Sequence, residues 1–309
     1  MEKKTFNEEL GKKAAFVEEV LIKYMPRDLK YAGKVLEAAE YSVFTGGKHL
    51  RPVIMKEAFD MFGGKGEVIE PFMAAIEYIH NYSLVHDDLP AMDNDMYRRG
   101  KKTTHAVYGD GIATLTGDFL LNLSFETAMK AFDCIGELPE TEKNEVTLRI
   151  IRALRILFDK SGINGMLGGQ SADVDAEKNG LSINADMLLY IHKNKTAALI
   201  EAALMTGAVL AGADEKEIEV MREIGNDTGV AFQIKDDILD VTGDESKLGK
   251  HVGSDEENGK ETYVTLYGLE KADKDQRELS LSAIEKLDSL SCKNEFLREL
   301  ILSLVDREY

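Results

Sequence analysis

The chain has 309 residues, 44% hydrophobic and 30% charged, which allows a sizeable buried core in one large domain or two ordinary ones. Its formal charge of −18 argues against a general nucleic-acid or anionic-membrane surface, because such partners are held by summed Lys and Arg charge. Any anionic ligand must therefore be held by a local basic device. The two cysteines, Cys134 and Cys292, show neither metal-ligand spacing nor a disulfide framework, which fits a reducing cytoplasm.

The opening MEKKTFNEELGKKAAF is too charged for a secretory signal and reads as a solvated amphipathic helix. Apolar residues then recur at three-to-four spacing, predicting helices near 6–23, 29–43, 51–62, 68–89, 110–132, 141–160, 184–211, 215–240, 262–286 and 293–305. That pattern is all-α, with no alternating strand signal against it. Breaks are expected at TGGKHLRP (45–52), FGGKGE (62–67), after Pro90, at MLGGQ (166–170), and along the polar run TGDESKLGKHVGSDEENGKE (242–261). No proline follows Pro139, so the later helices can be long. The most apolar stretch, AALIEAALMTGAVLAGA (197–213), contains Glu201 and many small residues, and reads as a buried helix with close neighbours rather than a membrane span. No Pro/Ser-rich linker divides the chain, so a single helical domain over 1–309 is expected.

Two acidic constellations stand out. In HDDLPAMDNDMYRR (86–99), Asp87, Asp88, Asp93 and Asp95 precede Arg98 and Arg99, with Pro90 among them. On an unbroken helix Asp87 and Asp93 would point about 120° apart and could not share one metal cluster. Pro90 removes a backbone donor and disfavours helix at Leu89, so the chain is expected to leave the axis and bring Asp93 back beside Asp87. The second group is QIKDDILDVTGD (233–244), where Asp236 and Asp240 share one helical face about 6 Å apart. Such a pair calls for a cation, unless it is simply a solvated acidic face. Oxygen ligands without a Cys/His set suit Mg²⁺. Basic residues accompany these clusters: Lys48 and Arg51, Lys193 and Lys195, Lys247 and Lys250. Carboxylates holding Mg²⁺ and ringed by Lys and Arg fit a polyphosphate, most naturally a diphosphate. There is no Walker-type cradle, no GxSxG and no activated Cys–His pair, so chemistry through a side-chain nucleophile is not expected.

HNYSLVHDDLPAMDNDMYRRG, with the upstream GGKHLRP and the downstream GGQSADVDAE, HKNKTAALI and FQIKDDILDVTGDESKLGK, resembles the short-chain trans-prenyltransferases, most of all their bacterial farnesyl-type members. The resemblance implies an antiparallel helical bundle around a deep central cavity, with the two Asp motifs facing one another across its mouth. It implies a head-to-tail 1′–4 condensation of isopentenyl diphosphate with dimethylallyl and geranyl diphosphate, giving farnesyl diphosphate. By residue matching, Asp87, Asp93 and Asp236 would bind three Mg²⁺ ions, with Asp88, Asp237 and Asp240 acting through water or hydrogen bonds. Arg98, Lys195, Thr196, Gln233 and Lys250 match the allylic diphosphate site, and Lys260 a further basic residue of a closing loop. Lys48, Arg51, His80 and Arg99 match the isopentenyl diphosphate site. Lys247 matches nothing firm, His86 is ambiguous, and Gln170 and Asp173 match a cavity-wall motif that orients substrate or water. A homodimer is also implied.

In this reading Asp87, Asp93, Asp236, Lys195, Thr196 and Gln233 carry catalysis, by stabilising the departing diphosphate and the allylic cation. The Gly-rich 243–260 run reads as a lid, or else as a solvated loop. His80, alone on a helix, would by itself be a structural residue; the match makes it a diphosphate contact. Tyr82 lies about 7.5 Å deeper along the helix than Asp87, with Ser83 at minus four, and an aromatic floor there resembles the farnesyl-type limit at fifteen carbons. The alternatives are a geranyl or geranylgeranyl synthase of different cavity depth, or a noncatalytic partner subunit, which usually loses one Asp motif. A terpene cyclase normally carries a different second motif. A helical phosphohydrolase built on His86 and Asp87 leaves the second cluster unexplained.

Overall fold

In the computed structural model, which describes residues 3–27, 30–179, 183–243 and 261–305, apolar residues at three-to-four spacing become helix almost everywhere. The chain forms α1 (Lys3–Tyr24), α2 (Gly33–Phe44), α3 (Leu50–Met61) and α4 (Glu70–Asp87), then a hairpin of β1 (Tyr97–Arg98) and β2 (Lys101–Lys102). There follow α5 (Thr104–Tyr108), α6 (Asp110–Met129), a 3-10 segment (Lys130–Ile135), α7 (Glu140–Ser161) and α8 (Met166–Asn179). Next come α9 (Ala185–Ile191), a π-helical turn (His192–Ala197), α10 (Ala198–Ala211), α11 (Glu215–Thr242), α12 (Tyr263–Tyr267), α13 (Leu269–Ser289) and α14 (Glu295–Val305). The class is all-α, as expected. No helix among the described residues is long and apolar enough to cross a membrane.

Contacts divide the chain into two compact units, one running to Lys56 and resuming over Lys65–Ile151, the other made of Glu57–Gly64 and the chain from Arg152 onward. In the N-terminal unit α4 is enclosed by α6, α1 and α2. Phe72, Met73, Ile76, Tyr78 and Ile79 are fully buried, and the Tyr78 hydroxyl donates to the Leu21 carbonyl at 3.0 Å. At about 1.5–3 kcal/mol for each large apolar side chain, this helix is a firm mount for whatever its C-terminal end presents. Pro71 sits in its first turn, where a missing N–H costs nothing.

In the C-terminal unit α11 is the axis, packed on α13, α10 and the π turn. A Cβ at Gly225 would lie 2.6 Å from the Glu201 Cα, and one at Gly229 2.4 Å from the Ala197 Cα, so only glycine permits this approach. The helix opens on a capping box: Asp214 Oδ1 accepts from the Lys216 and Glu217 N–H groups at 2.8 and 2.9 Å, and Glu217 Oε2 accepts from the Asp214 N–H at 2.9 Å. Glu201, the charge within the apolar stretch, is buried and ion-paired with Lys160.

Three expectations need correcting. MLGGQ does not break the chain; it opens α8, because Gly168 and Gly169 serve close packing, with added Cβ atoms falling 2.1 Å from the Ile163 carbonyl and 2.1 Å from the Lys195 nitrogen. The helix expected over 262–286 is two, split at Gly268, whose φ of +80 lies in the left-handed region that ends helices. The hairpin at 97–102 was not expected, since strands of two residues leave no alternation to read.

Candidate active site

Helix α4 ends at Asp87, and the turn behind Pro90 is closed by hydrogen bonds from Met92 N–H to Leu89 O at 2.8 Å and Asn94 N–H to Leu89 O at 3.1 Å. The Asp93 N–H donates to the Asp87 carbonyl at 2.9 Å. The chain therefore leaves the helix axis and returns, as the proline implied. Asn94, at φ +56, sends it on toward β1. Asp88 is 4% exposed and accepts from Arg98 Nε at 2.8 Å and NH2 at 2.6 Å. Burial pushes the Asp88 carboxyl up, and Arg98 opposes that. On Arg98 burial pulls the other way, but the Asp88 hydrogen bond and charge outweigh it, so the guanidinium holds its proton more tightly. The contact geometry is that of a charged pair at neutral pH.

The same unit gathers basic groups. Arg99, itself at φ +53, donates to the Gly46 carbonyl, and a Cβ at Gly47 would lie 2.5 Å from Arg99 NH1, so the glycine pair lets the TGGKHLRP loop meet this guanidinium. Lys48 is exposed on that loop. Arg51, in the first turn of α3, has its Nε enclosed with no hydrogen-bond partner among the described residues. Burial pushes its pKa down to about 10, Glu77 opposing and Arg99 adding. His80 is held well below the usual histidine value by burial and then by Arg51, Arg99, Arg98 and His49, so it is neutral at pH 7. Four of the residues expected at diphosphates, Arg51, His80, Arg98 and Arg99, thus act on one another, and an enclosed donor lacking an acceptor is what an anion site offers.

Tyr82 is 7% exposed, and its ring meets His86 edge-on at 6.0 Å. Burial, with Asp87 adding, pushes its hydroxyl up to about 12. Ser83 Oγ donates to the His80 carbonyl at 2.9 Å. His86 Nε2 lies 3.0 Å from the Thr114 carbonyl, in space that a side chain at Gly117 would fill, which gives this residue a packing role against α6.

In the C-terminal unit a cavity of about 180 Å³ is lined by Asp173, His192, Lys195, Thr196, Gln233 and Asp236, among others. Lys195 and Thr196 lie on the π turn, an element that recurs at functional sites because its extra residue re-aims side chains. Lys195 Nζ is 2.6 Å from Asp173 Oδ2, Thr196 Oγ1 donates to Gln233 Oε1 at 2.9 Å, and Gln233 Nε2 donates to Asp237 Oδ1 at 3.3 Å. Asp237 also accepts from the Tyr263 N–H at 2.8 Å, and His192 Nε2 lies 3.5 Å from it. Both Asp236 and Asp237 of the second motif line this cavity. Asp236 is half-buried, Asp237 and Asp240 are buried at 5% and 2% exposure, and Asp237 also fastens the start of α12. Gln170 lies on α8 with Asp173. Lys247, Lys250, Lys260 and the proposed lid fall outside the described residues.

Among the described residues no three His, Cys, Asp or Glu side chains form a ready-made metal cage. Carboxylates of this kind suit a hard ion that completes its shell with substrate oxygens. The sequence reading missed His192, Glu261 and Thr262 around the cavity, Tyr263 as the backbone donor to Asp237, and His49 with Glu77 beside the basic cluster. The quoted motifs held a signal for two of them, since His192 is the first residue of HKNKT and His49 lies within TGGKHLRP.

The sequence profile of the polyprenyl synthetase family matches residues 33–300. A farnesyl diphosphate synthase from Micrococcus luteus is 40% identical over 291 residues, 94% of this chain and 94% of its own. The chloroplastic heterodimeric geranylgeranyl pyrophosphate synthase large subunit 1 of Arabidopsis thaliana is 39% identical over 279 residues, 89% of this chain and 72% of its own. Among solved structures, a geranyltransferase from Helicobacter pylori complexed with magnesium and isoprenyl diphosphate has a TM-score of 0.76 at 30% identity, covering 95% of this chain and 96% of that one.

Proposed function

The chain belongs to the polyprenyl synthetase family, and from that premise we propose that it condenses isopentenyl diphosphate head-to-tail with dimethylallyl and then geranyl diphosphate to give farnesyl diphosphate. The observation that supports this reading is the 2.9 Å hydrogen bond from Asp93 N–H to Asp87 O, which closes a backbone turn between the two Asp residues. The basic cluster of Arg51, His80, Arg98 and Arg99 in the same unit supplies the matching anion site.

Lys48, Arg51, His80 and Arg99 hold isopentenyl diphosphate in this account, and the enclosed Arg51 Nε gains the acceptor it lacks. Neutral His80 donates one N–H without adding charge. Arg98, Lys195, Thr196 and Gln233 take the allylic diphosphate, helped by Lys250 and Lys260. Asp87, Asp93 and Asp236 would hold Mg²⁺, which when bound supplies positive charge to the departing diphosphate. The allylic C–O bond breaks, the isopentenyl double bond attacks the cation, and a proton leaves the new C–C product. Fixed donors on the diphosphate lower the barrier, because charge separation is its main component. The oxygens of Thr196 and Gln233, tied to each other, offer dipoles to the cation. The Tyr82 ring, buried on α4, closes the path of the growing chain in this account. A single catalytic domain, three Mg²⁺ ions, a homodimer and a cytoplasmic location complete the proposal.

The test is to incubate the protein with dimethylallyl and isopentenyl diphosphates and size the dephosphorylated products. Fifteen carbons are expected; twenty would favour the geranylgeranyl reading that the Arabidopsis relative's name suggests. Tyr82→Ala should lengthen the product beyond fifteen carbons. If its products stay at fifteen, Tyr82 is not the floor.

A further inference from the structure

The mechanism above makes no use of a buried pair beside the basic cluster. His49 Nδ1 lies 2.8 Å from Glu77 Oε1, and both residues are 4% exposed, although Lys48 next to His49 is exposed. His49 holds a left-handed backbone, at φ +45, which costs a branched-ring residue energy unless its surroundings impose it. Its carbonyl accepts the Val53 N–H at 3.2 Å, so the same residue starts α3. Glu77 is steadied in turn by Asn81, whose Nδ2 donates to the Glu77 carbonyl at 2.9 Å and lies 3.4 Å from Oε1. Glu18 of α1 stands 3.6 Å from His49 Nε2, and the other charged neighbours acting on these groups are Arg99, Arg51 and His80. Burial lowers the His49 pKa, but the Glu77 hydrogen bond, Glu77 charge and Glu18 charge outweigh it, so Nδ1 carries the proton that Glu77 accepts.

We propose that His49 is a positioning residue of the isopentenyl diphosphate subsite, its hydrogen bond to Glu77 locking the TGGKHLRP turn so that Lys48 and Arg51 are presented together. This rests on the reading of that subsite given above. Gly46 and Gly47 leave the loop many backbones to sample, and a buried anchor removes that freedom before substrate arrives. Lys48 and Arg51 flank the anchor, so its loss disperses both at once.

Steady-state kinetics on the full chain tests this, with isopentenyl and geranyl diphosphates varied in turn. His49→Gly relaxes the left-handed strain and deletes the imidazole with its bond; His49→Ala deletes the imidazole and keeps the strain. Both should raise KM for isopentenyl diphosphate about tenfold, with kcat and the geranyl diphosphate KM changed less than about twofold. His49→Asn keeps a donor near Nδ1 and tolerates left-handed backbone, so it should stay within about threefold of the parent. A loss shared equally by both substrates, or an Asn variant as poor as the Gly variant, overturns the positioning role. Arg51→Gln separates the two layers. If it raises the isopentenyl diphosphate KM and the His49 variants do not, the subsite stands and the positioning role falls. If Arg51→Gln leaves that KM unchanged, the subsite reading falls and this inference with it.

Discussion

Asp87 ends α4 and recovers Asp93 through a 2.9 Å backbone hydrogen bond across a proline turn, whereas Asp236 and Asp240 sit on α11, which runs unbroken from Glu215 to Thr242. Spacing explains the contrast. Residues four apart already share a helical face, and residues six apart do so only if the helix is abandoned between them. The neighbours are stabilised differently as well. Buried Asp88 is matched by a guanidinium, while buried Asp237 is matched by an amide, a backbone N–H and the nearby His192. The guanidinium secures Asp88 at the first cluster, while the backbone N–H bonded to Asp237 also pins the chain at Tyr263.

The comparison can be broken at several levels. The largest expected effects come from Asp87→Ala and Asp236→Ala, each reducing kcat about 10³-fold with much smaller changes in KM, since both act on charge that develops only as the diphosphate departs. A strongly unequal pair of losses would show that the two clusters do not share the task. Pro90→Ala should cost about tenfold in kcat, by letting α4 continue and carry Asp93 away from Asp87. An unaltered rate would mean that the Asp93-to-Asp87 bond suffices without the proline. On stability, Asp88→Asn should cost about 2 kcal/mol and Asp237→Asn about 1 kcal/mol in denaturant unfolding, because the first removes one charge of a guanidinium–carboxylate pair and the second weakens bonds from an amide and a backbone N–H. Equal losses would remove the distinction between the clusters.

The smallest effect concerns His80. Its folded pKa lies below the ordinary 6.5, so the folded chain takes up fewer protons than the unfolded one. The stability linked to it is therefore present above that ordinary value and is lost as pH falls from there toward the folded pKa. By NMR its ring should titrate below the ordinary histidine value in the free protein and at higher pH once isopentenyl diphosphate is bound. A ring indifferent to that ligand would place His80 away from the diphosphate.

Much of this was legible in the sequence. Three-to-four spacing placed most helices, and Pro90 between Asp87 and Asp93 announced the turn that the backbone adopts. What escaped depends on partners distant along the chain. Gly168 and Gly169 look like breakers until Lys195 is seen against Gly169. The π turn at His192–Ala197 is a matter of hydrogen-bond register, invisible in residue types that any helix accepts. The fastening of α12 by Asp237 depends on the Tyr263 N–H, 26 positions away, and no residue type near Asp237 signals it. His49 and Glu77 are 28 positions apart, and nothing in either neighbourhood marks them as a pair.

The most direct test is metal dependence of chain elongation. Protein stripped with a chelator and given dimethylallyl and isopentenyl diphosphates should yield no longer prenyl chain, and added Mg²⁺ should restore elongation to the fifteen-carbon product. Elongation that persists without metal, or none in either condition, would contradict the account in which the Asp87 and Asp236 clusters act through Mg²⁺ on a departing diphosphate.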